Sequence, residues 1–191
     1  VTEASQRHKA GLFVSNSMPI RDCDRFGMPI RAEANRGLAG IDGVVATALG
    51  YAENHDSDTT YLLIGDQAML HDAGSLRAVA DAHQRRLRIV VVDNGGGGIF
   101  SFLPLASNPE GIAADEVVSE EDFETLFGAT HSVDFVRLVE AHGLTAARAS
   151  SSSEFERLLD DASLDVVVAT PEVQRKDNVA IHRALEAPAV E

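Results

Sequence analysis

Two stretches of this chain, TTYLLIGD at 59–66 and LRIVVVDN at 87–94, leave little choice of fold. Each is a short apolar run without polar alternation, and each stops in a turn signal. A strand apolar on both faces must be covered on both faces, which is the condition of a parallel sheet wrapped by helices. Parallel neighbours need a long crossover. The segment HDAGSLRAVADAHQRR between the two runs supplies one, a helix with Asp72 as its expected N-cap.

The same alternation runs the length of the chain. GLFVS (11–15), MPIRAEA (28–34), LTAARAS (144–150) and LDVVVAT (164–170) read as further strands. DGVVATALGYAENH (42–55), SEEDFETLFGA (119–129), SVDFVRLVEAHG (132–143), SSSEFERLLDDA (151–162) and DNVAIHRALEA (177–187) read as helices. Ser132 is the expected start of one, a Ser153–Glu156 capping box of the next, and Asp177 the cap of the last. Residues from Phe100 to about Ser119 read as a long irregular loop. The expected fold is α/β: a doubly wound, mostly parallel six-stranded sheet with helices on both faces, one domain over residues 1–191.

Composition narrows the partners. A formal net charge of −14 over 191 residues disfavours a nucleic-acid partner, which calls for a basic face. An anionic ligand would have to be met by local arginines, a metal or backbone N–H groups. Cys23 is the one cysteine, so no internal disulfide forms, and the usage fits a reducing cytoplasm. No apolar run approaches the ~20 residues of a membrane span.

In a sheet of this kind ligands bind beyond the carboxyl ends of the strands. Two ends carry chemistry: IGDQA after one long strand and VDNGGGG after the next. If the strands are neighbours, Asp66 and the Asn94 amide oxygen meet although far apart in sequence. With one carbonyl from the glycine run they form three hard oxygen donors. Mg²⁺ takes about six, typically one or two carboxylates with phosphate oxygens and water. Glycines without Cβ atoms let the backbone approach a diphosphate closely. The plainer alternative is that G-D and N-G are turn punctuation and the glycines a loose loop. His71 beside Asp72 reads more simply as a residue next to a helix cap than as a base.

The span from Gly65 to Asn94 resembles the thiamine diphosphate signature, a G-D-G motif followed some 25–30 residues later by paired asparagines. It departs at Gln67, where the signature has glycine, and at Asp93, where it has the first asparagine. SNSMPIRD, ANRGLAGIDG, GDQAMLHD, NGGGGIFSFLP and DNVAIHRAL together resemble one family over nearly the whole chain. It is the C-terminal cofactor-binding domain of the 2-succinyl-5-enolpyruvyl-6-hydroxy-3-cyclohexene-1-carboxylate (SEPHCHC) synthases of menaquinone biosynthesis.

The resemblance implies a thiamine diphosphate- and Mg²⁺-dependent transferase that decarboxylates 2-oxoglutarate and joins the succinyl unit to isochorismate. It implies that Asp66, Asn94 and Gly96 hold Mg²⁺, and that Ser17, Gly65, Gln67, Ala68, Gly97 and Gly98 line the diphosphate. Gly40 and Ile41 fall where the family places the apolar wedge that bends the cofactor. Arg21 and Arg36 would pair with substrate carboxylates, and Ile99, Phe100 and Leu103 would wall the reacting end. The plainer reading makes the two arginines surface residues paired with Asp22, Asp24 or Glu33, and Ile99 and Phe100 core residues. The family's activating glutamate sits on a separate N-terminal pyrimidine-binding domain, usually from another subunit of a homodimer or homotetramer. No catalytic residue is therefore expected in this chain, which reads as part of a longer cytoplasmic enzyme, inactive alone. Two alternatives stay open: a separate cofactor-binding subunit of another thiamine-dependent 2-oxoacid enzyme, or a non-catalytic Mg²⁺/phosphate-binding or interaction domain.

Overall fold

The computed structural model describes residues 1–27, 31–35, 40–82, 86–103, 106, 118–172 and 175–186, with the side chains of 175 and 176 left out. They fall into two compact units: residues 1–93 with 133–171, and residues 94–132 with 172–191.

The first unit is built on five parallel strands, β1 (Gly11–Val14), β2 (Thr60–Gly65), β3 (Leu87–Val92), β4 (Ala146–Ala149) and β5 (Val166–Ala169). Their order across the sheet is β1-β2-β3-β5-β4. Alternation within each strand decides which layer each side chain joins. Leu62 and Ile64 of β2, Ile89 and Val91 of β3, and Val166 and Val168 of β5 face one layer. They pack there against α3 (Val44–Asn54), α4 (Asp66–His71), α5 (Leu76–Asp81) and α7 (Phe135–Ala141). Leu12, Val14, Tyr61 and Val90 face the other layer with α1 (Thr2–Arg7), α2 (Met18–Phe26) and α8 (Ser152–Leu159). The chain passes from β3 to the sheet edge at β4 and returns inward to β5. Its return helix α8 lies on the face opposite α3, as right-handed crossovers require when direction reverses.

The expected sixth strand is reduced to a single parallel bridge between Phe13 and Glu33, so the sheet among the described residues has five. Glu33 does pair with the outer edge of β1, taking the Val14 N–H at 2.8 Å and donating its own N–H to Leu12 O at 2.9 Å. Charged Arg31 and Glu33 beside it bond each other instead of packing, which keeps the edge short. Met28, Pro29 and Ile30 lie outside the described residues.

Helix starts differ from the expected caps. Asp72 is buried at 9% exposure and stands at the N-cap position of the turn that follows it, but its side chain accepts no backbone N–H there, only the Ser75 hydroxyl at 2.6 Å. Its Oδ2 accepts the N–H groups of Val45 and Ala46 at 2.6 and 3.1 Å, across 26–27 residues. The reason lies in α3, whose N-cap is Gly43, with no side chain to satisfy the first amides. Asp72 supplies that acceptor, and its charge suits the helix N-terminus. Likewise α7 is capped by Asp134 rather than Ser132, and α8 by Ser151, two residues ahead of the expected box. Asp177 sits inside α9 (Arg175–Glu186).

At the amino end of the sheet, Arg88 of β3 closes the other end of α8. Its guanidinium donates to Leu159 O at 2.9 Å and Asp161 O at 2.5 Å, and lies over the Tyr61 ring, 5.6 Å from the centroid. Tyr61 Oη adds a bond to Leu159 O at 3.2 Å. Carbonyls that end a helix have no intrahelical donor, so one cation on a strand pins the helix to the sheet.

The second unit holds a 3₁₀ turn (Gly98–Phe102), α6 (Glu120–Phe123) continuing as a π turn (Glu124–Gly128), and α9. Phe127 stacks between Phe100 and Phe123, with ring centroids 5.7 and 5.1 Å away, and Phe102 meets His182 edge-on at 5.0 Å. Much of the expected loop from 100 to 119 lies outside the described residues.

The glycine run is folded, not loose. Gly95 and Gly96 take φ of +79° and +144°, values that an L side chain resists. Gly97 N–H donates to Gly128 O at 2.6 Å, and a Cβ there would stand 2.7 Å from Phe127 O.

Replacing Arg88 by Met should lower stability by about 1–3 kcal/mol in urea titration, because charged hydrogen bonds to partly buried carbonyls are lost. Gly97→Ala should destabilise by about 1–3 kcal/mol, since backbone rather than a flexible side chain must yield. Burial raises the Tyr61 hydroxyl above its usual pKa, with Arg88 opposing. Tyr61 thus contributes stability that is full below the unfolded-state value near 10 and declines as pH rises through the folded one. Tyr61→Phe should flatten the unfolding free energy above about pH 10 relative to the parent.

Candidate cofactor and metal site

The register places the carboxyl ends of the two long strands side by side, with Gly65 paired to Val92. The residues that follow them are therefore neighbours by construction. Asp66 opens α4 directly off β2 and is 3% exposed. Its Oδ1 accepts the N–H of Gln67 at 2.6 Å. Asp93 follows β3, its N–H bonded to Ala169 O of β5 at 2.9 Å. Carboxylate oxygens of Asp66 and Asp93 lie within 4.8 Å of each other. Two carboxylates at this spacing repel unless a cation stands near them, and oxygen donors of this kind suit a hard divalent ion.

Gly65 is the N-cap of α4, and Gln67 and Ala68 lie in its first turn, Ala68 buried and Gln67 partly so. An anion above this turn would face backbone amides.

The tip of β1 forms a second part of the same sheet edge. Ser17 caps α2 with φ +72° and ψ −137°, and its side chain makes no cap bond. A non-glycine residue there stores about 1–3 kcal/mol of strain, which clusters at sites where ligands are held. Ser15 Oγ and Asn16 Oδ1, beside it, are buried with no hydrogen-bond partner among the described residues. Asn16 Nδ2 donates to Gly40 O at 2.5 Å, tying the β1 tip to the turn that leads into α3. Gly40 is exposed and Ile41 half-buried against the α3 core layer. Arg21 is exposed, with Nη1 donating to Ser17 O at 2.9 Å. Arg36 lies outside the described residues.

In the second unit, Asn94 and Gly96 belong to the glycine turn, Gly96 and Gly98 are buried, and Gly97 is held by Gly128. Ile99 is half-buried in the 3₁₀ turn, while Phe100 and Leu103 are 38% and 40% exposed. Phe100 lies against Phe127, but a large part of each of these two apolar side chains still faces outward.

Two contributors had no signature in the sequence. Asn16 stands inside SNSMPIRD, yet nothing there announces that it holds Gly40. Arg148 bonds Asp93 from 55 residues away, in a stretch that reads as an ordinary strand.

The donor set is oxygen-rich, acidic and set beside helix amides and two buried unpartnered polar atoms, which fits a divalent cation with a phosphate-bearing ligand. Among the described residues no helix is long and apolar enough to cross a membrane. Comparison with known proteins agrees with this chemistry. The sequence profile of the family described as thiamine pyrophosphate enzyme, C-terminal TPP binding domain, matches residues 25–171. A relative from Chlorobium limicola is 37% identical over 186 residues, covering 94% of this chain and 30% of the relative. One from Bacillus cytotoxicus is 39% identical over 187 residues, covering 95% and 30%. One from Listeria monocytogenes is 40% identical over 185 residues, covering 93% and 29%. All three are named 2-succinyl-5-enolpyruvyl-6-hydroxy-3-cyclohexene-1-carboxylate synthase, and the chain spans about 30% of the length of the first of them. With its parallel α/β sheet and its profile match over most of its length, the chain belongs to the family of C-terminal, thiamine pyrophosphate-binding domains of thiamine pyrophosphate enzymes.

Proposed function

We propose that this chain is the diphosphate- and Mg²⁺-binding part of a SEPHCHC synthase, a transferase joining a succinyl unit from 2-oxoglutarate to isochorismate. The observation that carries this reading is the register of β2 and β3, which sets Asp66 at one strand tip beside Asp93 at the next. The similarity, over more than nine-tenths of the chain, to three relatives named as SEPHCHC synthases supports this reading.

When bound, thiamine diphosphate supplies the electron sink for decarboxylation of the 2-oxo acid. The chain's own residues bind and orient. Asp66, the Asn94 amide oxygen and the Gly96 carbonyl are proposed to hold Mg²⁺, leaving its other positions to phosphate oxygens and water. Ser17, Gly65, Gln67, Ala68, Gly97 and Gly98 are proposed to line the diphosphate through backbone groups, where bare glycine permits close approach. Gly40 and Ile41 are proposed as the wedge, with Gly40 O held by Asn16. Arg21 and Arg36 are proposed to meet substrate carboxylates, guanidinium being suited to two-point carboxylate binding. Each would offset the repulsion that a chain of net charge −14 exerts on dianionic substrates. Ile99, Phe100 and Leu103 are proposed to exclude water at the reacting end, which the outward faces of Phe100 and Leu103 support.

In the whole protein the activating glutamate comes from a pyrimidine-binding domain of another subunit, in a cytoplasmic homodimer or homotetramer. On this reading no residue of the 191-residue chain is catalytic by itself.

Isothermal titration of thiamine diphosphate into the chain with Mg²⁺ should give weak binding, abolished by Asp66→Ala and reduced about 10–100-fold by Asp66→Asn. Circular dichroism of both variants separates loss of the site from loss of the fold. Binding unchanged in a folded Asp66→Ala, or succinyl transfer by the chain alone, would overturn the proposal.

A further inference from the structure

Asp93 is not left facing Asp66 alone. Arg148 of β4 reaches across β5, and its Nη1 lies 2.9 Å from Asp93 Oδ2. The same Nη1 donates to Thr170 Oγ1 at 2.5 Å, and Nη2 stands 3.5 Å from Asp134 Oδ1. Thr170 follows β5, Asp93 follows β3 and Asp134 caps α7, so one guanidinium gathers the ends of three elements. The Asp93 side chain is 12% exposed and that of Arg148 33%, so solvent screens this pair only partly.

We propose that Arg148 sets the cation preference of the site by engaging one oxygen of the Asp93 carboxylate and offsetting its charge, which makes Asp93 a poorer ligand for the ion that Asp66 binds. This rests on the metal reading given above and deepens it. Asp93 and Asp66 oxygens are close enough, within 4.8 Å, for one cation to take both. Two carboxylates together with a diphosphate make a crowded, strongly anionic donor set. Ca²⁺ accepts six to eight oxygens in loose geometry, whereas Mg²⁺ demands six in a near-octahedron and keeps its water. A second carboxylate on the ion therefore favours Ca²⁺ more than Mg²⁺. With Asp93 Oδ2 engaged by Arg148, Asp93 is a weaker ligand than Asp66, which favours the smaller ion. The role of Arg148 is positioning: it touches neither cation nor substrate.

The test is isothermal titration of the 191-residue chain with MgCl₂ and with CaCl₂, each at saturating thiamine diphosphate. The ratio of the Ca²⁺ to the Mg²⁺ dissociation constant is the readout. In Arg148→Met the ratio should fall about tenfold, the lower end of what loss of a ligand-orienting partner does at a metal site. Adding Asp93→Asn to that variant should restore the parental ratio, because the freed carboxylate is gone. Asp93→Asn alone should leave the ratio within about twofold of the parent and serves if Arg148→Met fails to fold. An unchanged ratio in folded Arg148→Met, no restoration in the double variant, or a tenfold loss of Mg²⁺ affinity in Asp93→Asn alone would overturn the proposal. If the parent chain binds neither cation, the metal reading itself falls, an outcome distinct from an unaltered ratio.

Discussion

The parallel pairing of β2 with β3 is the constraint on which the other features rest. Both strands are apolar on both faces, with Leu62, Ile64, Ile89 and Val91 on one side and Tyr61 and Val90 on the other. A slip of one residue would turn each of these side chains into the other layer, against neighbours of different shape, and would carry Arg88 off the carbonyls that end α8. The placement of Asp66 beside Asp93 is a by-product of that pairing. The site inherits its geometry from a core that has no chemistry of its own.

The strands were legible because periodicity and burial act locally. The two long runs, their connecting helical segment and the small-residue helix before them follow from apolar pattern alone. What could not be read was where polar groups would find partners. Asp72 precedes a helical segment and has the form of a cap, but the demand for an acceptor came from Gly43, far off in sequence. Of the strand expected at 28–34, the described residues form a single bridge at Glu33, beside which Arg31 and Glu33 pair at the sheet edge. Propensity cannot weigh a contact it does not know, and tertiary pairing decides such cases.

The candidate site divides in the same way. Asp66, Asn94 and the glycines are visible because a strand tip followed by a turn is a sequence pattern. The pairing of Asp93 with Arg148 is not, since β5 stands between them and no spacing rule joins residues two strands apart. Departures from a signature carry information of this kind. An aspartate where paired asparagines are the pattern would add a negative charge to an already acidic edge, and a cation placed from the far strand offsets it. Charge at this edge is settled between strands rather than within a motif.

The six residues of α4 carry a mechanical consequence. Asp66 stands at its first position, and Asp72, just past its last, grips the first amides of α3. The opposite approach to α3 passes through Gly40, tethered to the tip of β1. A short rigid rod thus joins the carboxylate at one strand tip to the footing of the neighbouring helix. The carboxylate at the tip of β2 and the Gly40–Ile41 bend are joined through α4, Asp72 and the first turn of α3.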